Sequence, residues 1–155
     1  MQAKMKMHQM TAQEVDTFLE QADVGRVGTL GVDGFPYLVP VHFAVVNGYI
    51  YFHGLNAGEK LENITRNAKV GFEADAMDSL RQGETACKTG TRYTSVIVKG
   101  EAVRVDAPAE IMAALDAIVE KYTPQHKGSA FSDADMRGIG VVRITVREKT
   151  GKRRM

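Results

Sequence analysis

Residues 24–54 read VGRVGTLGVDGFPYLVPVHFAVVNGYIYFHG, and two turn dipeptides divide this stretch. Asp33-Gly34 and Asn47-Gly48 are strong short-range signals of a β-hairpin, because aspartate, asparagine and glycine tolerate the positive φ angles of tight turns. The segments around them are rich in β-branched and aromatic residues. Two hairpins in series predict a meander, with strands at about 24–32, 35–46 and 49–54.

Outside this stretch, the hydrophobic periodicity alternates between helical and strand patterns. A capping-box spacing at Thr11 and Glu14 predicts the start of a first helix. The predicted helices are 11–22, 59–66 and 108–121, the further strands are 69–74, 93–105 and 140–147, and the polar residues 75–91 are expected to form the longest loop. The prediction is a mainly β fold: a β-barrel of six antiparallel strands with α elements packed outside.

Two residue types refine the predicted strands. Pro36 and Pro40 lack a backbone N–H, so their part of the second strand is expected at a sheet edge or an irregularity. Gly100 lies inside a long strand and predicts a bulge or bend.

Composition limits the class of protein. The 155 residues include 20 basic and 19 acidic side chains, one cysteine and no tryptophan, which is typical of one soluble domain without disulfides. No apolar run approaches the ~18 residues of a membrane span, so a cytoplasmic protein is expected. We expect one domain at 11–148, between a flexible N-terminus at 1–10 and a basic tail at 149–155. The body is net acidic, which disfavours a nucleic-acid binder, although the tail leaves that alternative open.

Several familiar site motifs are excluded. Gly25, Gly28 and Gly31 have the wrong spacing for a dinucleotide fold, and residues 54–61 are one residue short of a phosphate-binding P-loop. The four histidines are not spaced as metal ligands, so no metal site is expected.

The remaining candidate is YIYFHGLNAGEKLENI, residues 49–64. Strand alternation predicts that Tyr49, Tyr51 and His53 share one face, opposite a core-facing side. A glycine-containing turn and a helix start follow at once. With Lys60 in the first helical turn, this segment is a candidate phosphate cradle, since helix N-termini offer free N–H groups and a positive dipole end. Glu59 would oppose an anion there, and an ordinary exposed turn is the alternative.

The strand at 93–99 supplies a second set of candidates. Tyr93, Ser95, Ile97 and Lys99 are predicted on one face and Thr94, Val96 and Val98 on the other. Tyr93 and Ser95 could hydrogen-bond a ligand. The alternative is the solvent face of a two-sided sheet.

The order of these segments resembles that of a known family. The segments are Gly34–Phe43, Tyr51–His53, Gly58–Lys60, Asn67–Val70, Tyr93–Gly100 and Thr150-Gly-Lys152. Together they resemble the pyridoxamine 5'-phosphate oxidase-like superfamily, and more closely its nitroimidazole-reductase-like branch. The resemblance covers roughly residues 12–152.

The resemblance implies a split β-barrel homodimer that holds FMN in a cleft at the subunit interface. It implies that the Val39–Phe43 backbone (Val39, Pro40, Val41, His42 and Phe43) lines the isoalloxazine ring. His53 corresponds to the active-site histidine, Lys60 and Ser95 lie toward the phosphate, and Tyr93 lies nearby. Relatives often carry a basic residue where Glu59 stands, so Lys152 or Arg92, from either chain, is expected to supply that charge.

In this interpretation the flavin takes a hydride from NAD(P)H and reduces a small acceptor such as a nitroaromatic or a quinone, with His53 as proton donor or orienting group. The alternative role for His53 is a histidine satisfied at a strand end. True pyridoxamine phosphate oxidation is not expected, because the chain lacks the Trp- and Arg-rich C-terminal segment. A non-catalytic module that binds flavin or heme is the alternative function, and the sequence does not distinguish FMN from a deazaflavin.

Overall fold

The computed structural model describes residues 8–155. Within them the chain is mainly β, with seven strands and four α-helices. The strands are β1 (Gly25–Leu30), β2 (Pro36–Val41), β3 (Phe43–Val46), β4 (Tyr49–Leu55), β5 (Lys69–Arg81), β6 (Gly90–Arg104) and β7 (Ile139–Arg154). The helices are α1 (Ala12–Gln21), α2 (Glu59–Arg66), α3 (Pro108–Tyr122) and α4 (Asp133–Gly138), with short 3-10 turns at Ala86–Lys88 and Pro124–His126.

All seven strands form one antiparallel sheet in the order β2-β1-β5-β6-β7-β4-β3. Its two edges, β2 and β3, follow each other in the chain and are separated only by His42. Val41 pairs with Gly25 of β1, whereas Phe43 pairs with Phe52 of β4. The sheet must therefore curl until its two edges meet at His42, without hydrogen bonds closing it.

This corner explains the difference in strand count. The predicted strand 35–46 is two strands, because the chain changes ladder at His42, and the prediction of six strands was wrong by one. The expected edge position of Pro36 and Pro40 is confirmed, since β2 is an edge strand.

The predicted turns are confirmed. Asn47 and Gly48 have φ angles of 50° and 81°, the conformation of a two-residue hairpin turn, and they join the paired residues Val46 and Tyr49. Gly34 has a φ of 82° in the loop between β1 and β2. The Thr11–Glu14 capping box at the start of α1 is also present.

The predicted loop at 75–91 was too long, and only residues 82–89 connect the two strands. β5 continues to Arg81 and β6 begins at Gly90, and they pair from Lys69 and Glu101 to Arg81 and Gly90, with a register shift between Met77 and Ser79. Side chains beyond Ala76 are half-buried or exposed on both faces, so the alternation that marks a strand is lost there. The bulge expected at Gly100 is confirmed by a register shift between Lys99 and Gly100.

The last strand is also longer than predicted. β7 runs to Arg154, and Lys152 pairs with Ser95 of β6, so the residues expected as a basic tail extend the sheet. Gln9 bridges to Lys152, and Met10 is buried. The segment expected to be flexible is thus packed at residues 8–10, and residues 1–7 lie outside the described part of the chain.

Both faces of the sheet are covered near its centre. The main core contains Phe43, Phe52 and Phe72, with α1 packed against it. A smaller cluster on the opposite face includes Tyr51 and Leu115 of α3. Helices α2 and α3 match their predictions, whereas the short α4 was not predicted. None of the helices in residues 8–155 has the length and apolarity to cross a bilayer.

Candidate functional site

The corner where the sheet edges meet opens onto a cavity of about 430 Å³. A cavity of this size lies within the range of small-molecule sites. We call it the corner cavity. It is lined by Val24, Pro40, Val41, His42, His53, Gly54 and Lys60.

Lys60 reaches the corner cavity from the first turn of α2. Gly58, the N-cap, has a φ of 124° and offers no side-chain cap, which leaves the first-turn N–H groups without a side-chain acceptor from that position. The ammonium lies 5.1 Å from the centre of the Phe52 ring. A β-carbon at Gly54 would stand 3.2 Å from the Lys60 Nζ, so the glycine leaves room for it.

The charge on Lys60 is not matched by an acid. Burial lowers its pKa, and among the side chains that the structure describes, which exclude Asp133, no carboxylate oxygen lies within 4.0 Å of its Nζ. A half-buried cation without a counter-charge favours an anionic ligand.

His53 has an unmet hydrogen-bonding atom. The side chain is half-buried, and its Nδ1 is buried without a partner among the described residues. Burial lowers the pKa of His53, and the nearby His42 and Lys60 lower it further. The imidazole is therefore mostly neutral at pH 7, with one nitrogen able to donate and the other to accept.

His42 is held against a helix. Its ring stacks on Tyr122 of α3, with centroids 4.3 Å apart and an interplanar angle of 25°. The Tyr122 hydroxyl accepts a hydrogen bond from the Phe43 N–H at 3.1 Å and donates to the Asp23 carbonyl oxygen at 2.8 Å.

Most of the cofactor-binding residues predicted between Val39 and Lys60 lie together in the structure. Pro40, Val41, His42, His53 and Lys60 all line the corner cavity. Val39 lies beside the same helix start, on a second, smaller depression that Lys60 also borders.

Phe43 does not line the corner cavity. Its ring is fully buried in the main core, and its backbone N–H is already bonded to Tyr122. Tyr51 also differs from the expected polar row, since it is buried beneath α3 and its hydroxyl donates to Glu110 at 2.9 Å.

Tyr93, Ser95 and Lys152 form a separate group. Ser95 and Lys152 pair directly across β6 and β7, and Tyr93 is two residues from Ser95 on the same face. His53 pairs with Val141 at the other end of β7. Lys152 lies eleven positions after Val141, a path of about 36 Å along the strand. One chain alone therefore holds two separate halves of the predicted site.

Three contributors were missed in the sequence. Val24 carries no sequence signal for a site. Gly54 is one of several glycines in a turn, and only its closeness to Lys60 gives it a role. Tyr122 was assigned to the apolar stripe of its helix, and that pattern does not show where the hydroxyl lies.

Three of the solved structures similar to this chain show the range of the likeness. A candidate 5-nitroimidazole antibiotic resistance protein from Bacteroides thetaiotaomicron is 28% identical, with a TM-score of 0.80 over 93% of this chain and 85% of that chain. An FAD- and heme-binding protein from Mycobacterium smegmatis is 18% identical, with a TM-score of 0.85 over 94% and 73%. An FAD-binding protein from the same organism is 24% identical, with a TM-score of 0.67 over 94% and 96%. No curated protein sequence matches the chain.

A family model is more decisive. The model described as pyridoxamine 5'-phosphate oxidase matches residues 11–153. This range includes all the helices and strands except the last residue of β7. The match spans the corner cavity and the separate group of Tyr93, Ser95 and Lys152. The chain therefore belongs to the pyridoxamine 5'-phosphate oxidase family, in agreement with the resemblance found in its sequence.

Proposed function

We propose that this protein is a split-barrel homodimer that binds FMN in the corner cavity and uses it to pass electrons from NAD(P)H to a small acceptor such as a nitroaromatic or a quinone. The observation that carries the proposal is the half-buried Lys60 ammonium, which lies at a helix start and has no carboxylate partner among the described side chains. A phosphate carries close to two negative charges and would satisfy it.

The residues of the corner cavity fit a flat, phosphorylated ligand. Val24, Pro40 and Val41 offer apolar wall, while Lys60 and the α2 start offer positive charge at one end. The unpartnered His53 Nδ1 offers one hydrogen bond in the same space. The similar structures from Mycobacterium smegmatis, whose descriptions state FAD binding, support a flavin.

The divided site supports the proposed homodimer. A second copy would bring its own Tyr93, Ser95 and Lys152 to the corner cavity of the first. Exposed apolar side chains support such an interface, because Met77 is 63% exposed on β5 and Ile97 55% exposed on β6, next to this group.

When bound, the flavin supplies hydride acceptance and electron transfer. The residues of the chain position it. Lys60 holds the anionic end, and Pro40 and Val41 exclude water from one side. His53 is a neutral imidazole at pH 7, so one ring nitrogen can donate a hydrogen bond to a ligand atom while the other accepts one. We assign it as the catalytic residue that orients the acceptor through such a hydrogen bond.

The test of the cofactor uses two ligands and two variants. Lys60→Gln should weaken FMN binding about 10- to 100-fold, the range expected for one lost charged hydrogen bond. It should leave riboflavin, which lacks the phosphate, nearly unaffected. The control Lys69→Gln removes an exposed lysine of β5 and should change neither. A wild-type protein that is colourless and does not bind FMN refutes the proposal, as does an equal loss for both ligands.

A second test concerns the assembly and the reaction. Sedimentation should give a dimer, and a monomer at micromolar concentration would contradict the shared site. Mixing the FMN-loaded protein with NADH or NADPH should bleach the flavin absorbance, and a nitroaromatic or quinone should restore it. His53→Gln should slow that cycle more than it weakens FMN binding.

A binding module without turnover is the second candidate. His42 and His53 border one cavity, and imidazole is a common heme ligand. The FAD- and heme-binding relative adds support. Binding of flavin without reduction by NAD(P)H, or a Soret band with added hemin that is lost in His42→Ala or His53→Ala, would favour this candidate.

A further inference from the structure

We infer that Tyr122, which does not line the corner cavity, is a positioning residue that fixes the spacing of Val24 and His42 in the cavity lining and the orientation of His42. The inference rests on the proposed function for its effect on FMN, but not for its effect on the cavity itself. Three contacts that meet on this one side chain carry it.

The hydroxyl joins two adjacent segments of the chain that line the corner cavity. It donates to the Asp23 carbonyl oxygen at 2.8 Å and accepts from the Phe43 N–H at 3.1 Å. Asp23 directly precedes Val24, and Phe43 directly follows His42. Val24 and His42 both line the cavity, and they lie directly beyond Gly25 and Val41, the last pair of the β1–β2 ladder, so the hydroxyl holds the two segments at a fixed spacing where that ladder has ended.

The ring sets the third contact. It stacks on the His42 imidazole at a centroid distance of 4.3 Å, which restricts rotation of that side chain. Burial raises the pKa of Tyr122, so the hydroxyl keeps its proton, and with it the bond to Asp23, throughout the neutral range.

The neighbouring Lys121 makes Tyr122 itself rigid. Its Nζ lies 3.8 Å from the centre of the Phe43 ring and 3.3 Å from the Leu19 carbonyl oxygen near the end of α1. The C-terminus of α3 is thus anchored to α1 and to the main core. A tyrosine on this anchored turn has little freedom to yield to a ligand.

The chain offers a matched control. Tyr51 also uses its hydroxyl to connect the sheet to α3, by donating to Glu110 at 2.9 Å, but it lies in the smaller cluster and does not line the corner cavity. Tyr51→Phe and Tyr122→Phe therefore remove comparable hydroxyls. Only the second change releases the segments that carry Val24 and His42.

The experiment compares wild type, Tyr122→Phe, Tyr122→Leu and Tyr51→Phe. With FMN as the probe, Tyr122→Phe should raise the dissociation constant about fivefold, the factor of one net hydrogen bond, and Tyr122→Leu should raise it further. Tyr51→Phe should leave it within about twofold. Equal FMN affinity for wild type and Tyr122→Phe, or equal losses for Tyr122→Phe and Tyr51→Phe, would overturn the inference.

A second readout needs no ligand. In two-dimensional NMR spectra, Tyr122→Phe should shift the amide signals of Val24 and His42 but keep the ring-current shift of the His42 imidazole. Tyr122→Leu should abolish that ring-current shift, and Tyr51→Phe should leave these signals in place. A protein that does not bind FMN but shows this pattern would refute the proposed function and keep the inference. Unchanged Val24 and His42 signals in Tyr122→Phe would refute the inference alone.

Discussion

The buried pair Thr29 and Asn63 gives the most direct test of how α2 is held in place. Asn63, on α2, is 2% exposed, and its Nδ2 donates to the Thr29 Oγ1 of β1 at 3.1 Å. Arg66 donates to the Asn63 Oδ1 at 2.6 Å. Because α2 also carries Lys60, this pair connects the fold to the corner cavity.

Asn63→Ala should lower the free energy of unfolding by about 2 kcal/mol. The lost bond to buried Thr29 contributes about 1 kcal/mol. The space left by the amide contributes roughly as much. The lost bond to Arg66 adds little, since that guanidinium is exposed, also donates to the Leu30 carbonyl oxygen, and can be solvated.

A double-mutant cycle with Thr29→Val isolates the pair and should give a coupling energy of about 1 kcal/mol. The assay is equilibrium urea unfolding by linear extrapolation, at one protein concentration because a dimer makes stability concentration-dependent. The control Thr65→Ala, on the exposed side of α2, should stay within about 0.5 kcal/mol. A loss below about 0.5 kcal/mol for Asn63→Ala, or no coupling, would refute the reasoning.

Three further predictions use single substitutions. A β-carbon at Gly100 would overlap β7 across the bulge, so Gly100→Ala should lower the free energy of unfolding in urea by at least about 2 kcal/mol. The control Gly71→Ala, where a β-carbon would meet nothing within 4 Å, should lower it by less than about 1 kcal/mol. Equal losses for the two variants would contradict this prediction. Burial lowers the pKa of Lys121 to about 8, below its unfolded value, so the unfolded chain holds the proton longer. The stability of wild type relative to Lys121→Met should therefore rise between about pH 8 and 10.5, and a constant difference would exclude the shift. In an NMR titration, the pKa of His53 should lie below about 6.5. It should rise in Lys60→Gln, because that variant removes a nearby positive charge. An unchanged titration midpoint in the variant would contradict an electrostatic interaction between Lys60 and His53.

Local signals predicted the centre of the fold. The Asn47-Gly48 turn, the edge prolines and the Gly100 bulge each depend on a property of one or two residues, so they are readable without tertiary contacts. The ends of β5 and β7 were missed because their outer side chains are half-buried or exposed, and the one buried residue among them, Gly151, carries no apolar side chain that could produce an alternating pattern.

The candidate site divides in the same way. His42, His53 and Lys60 come from one continuous stretch, and its hairpins bring them to one corner. The distance of Ser95 from them follows from strands longer than the sequence indicated. The role of Tyr122 depends on the groups that its hydroxyl contacts. The apolar stripe of the helix does not show this, because the sequence pattern is identical whether the hydroxyl faces solvent or bonds to two backbone groups.

His42 is the whole connection between the two outermost strands, and this makes the chain unusually intolerant of length changes at that point. One added residue there would let the outer strands drift apart and would rotate either Val41 or Phe43 to the wrong face of its strand. An insertion at the tip of the β5–β6 hairpin, residues 82–89, would only lengthen an exposed turn. Variation among related chains is therefore expected to accumulate at that tip, while the spacing from Pro40 to Phe43 stays constant.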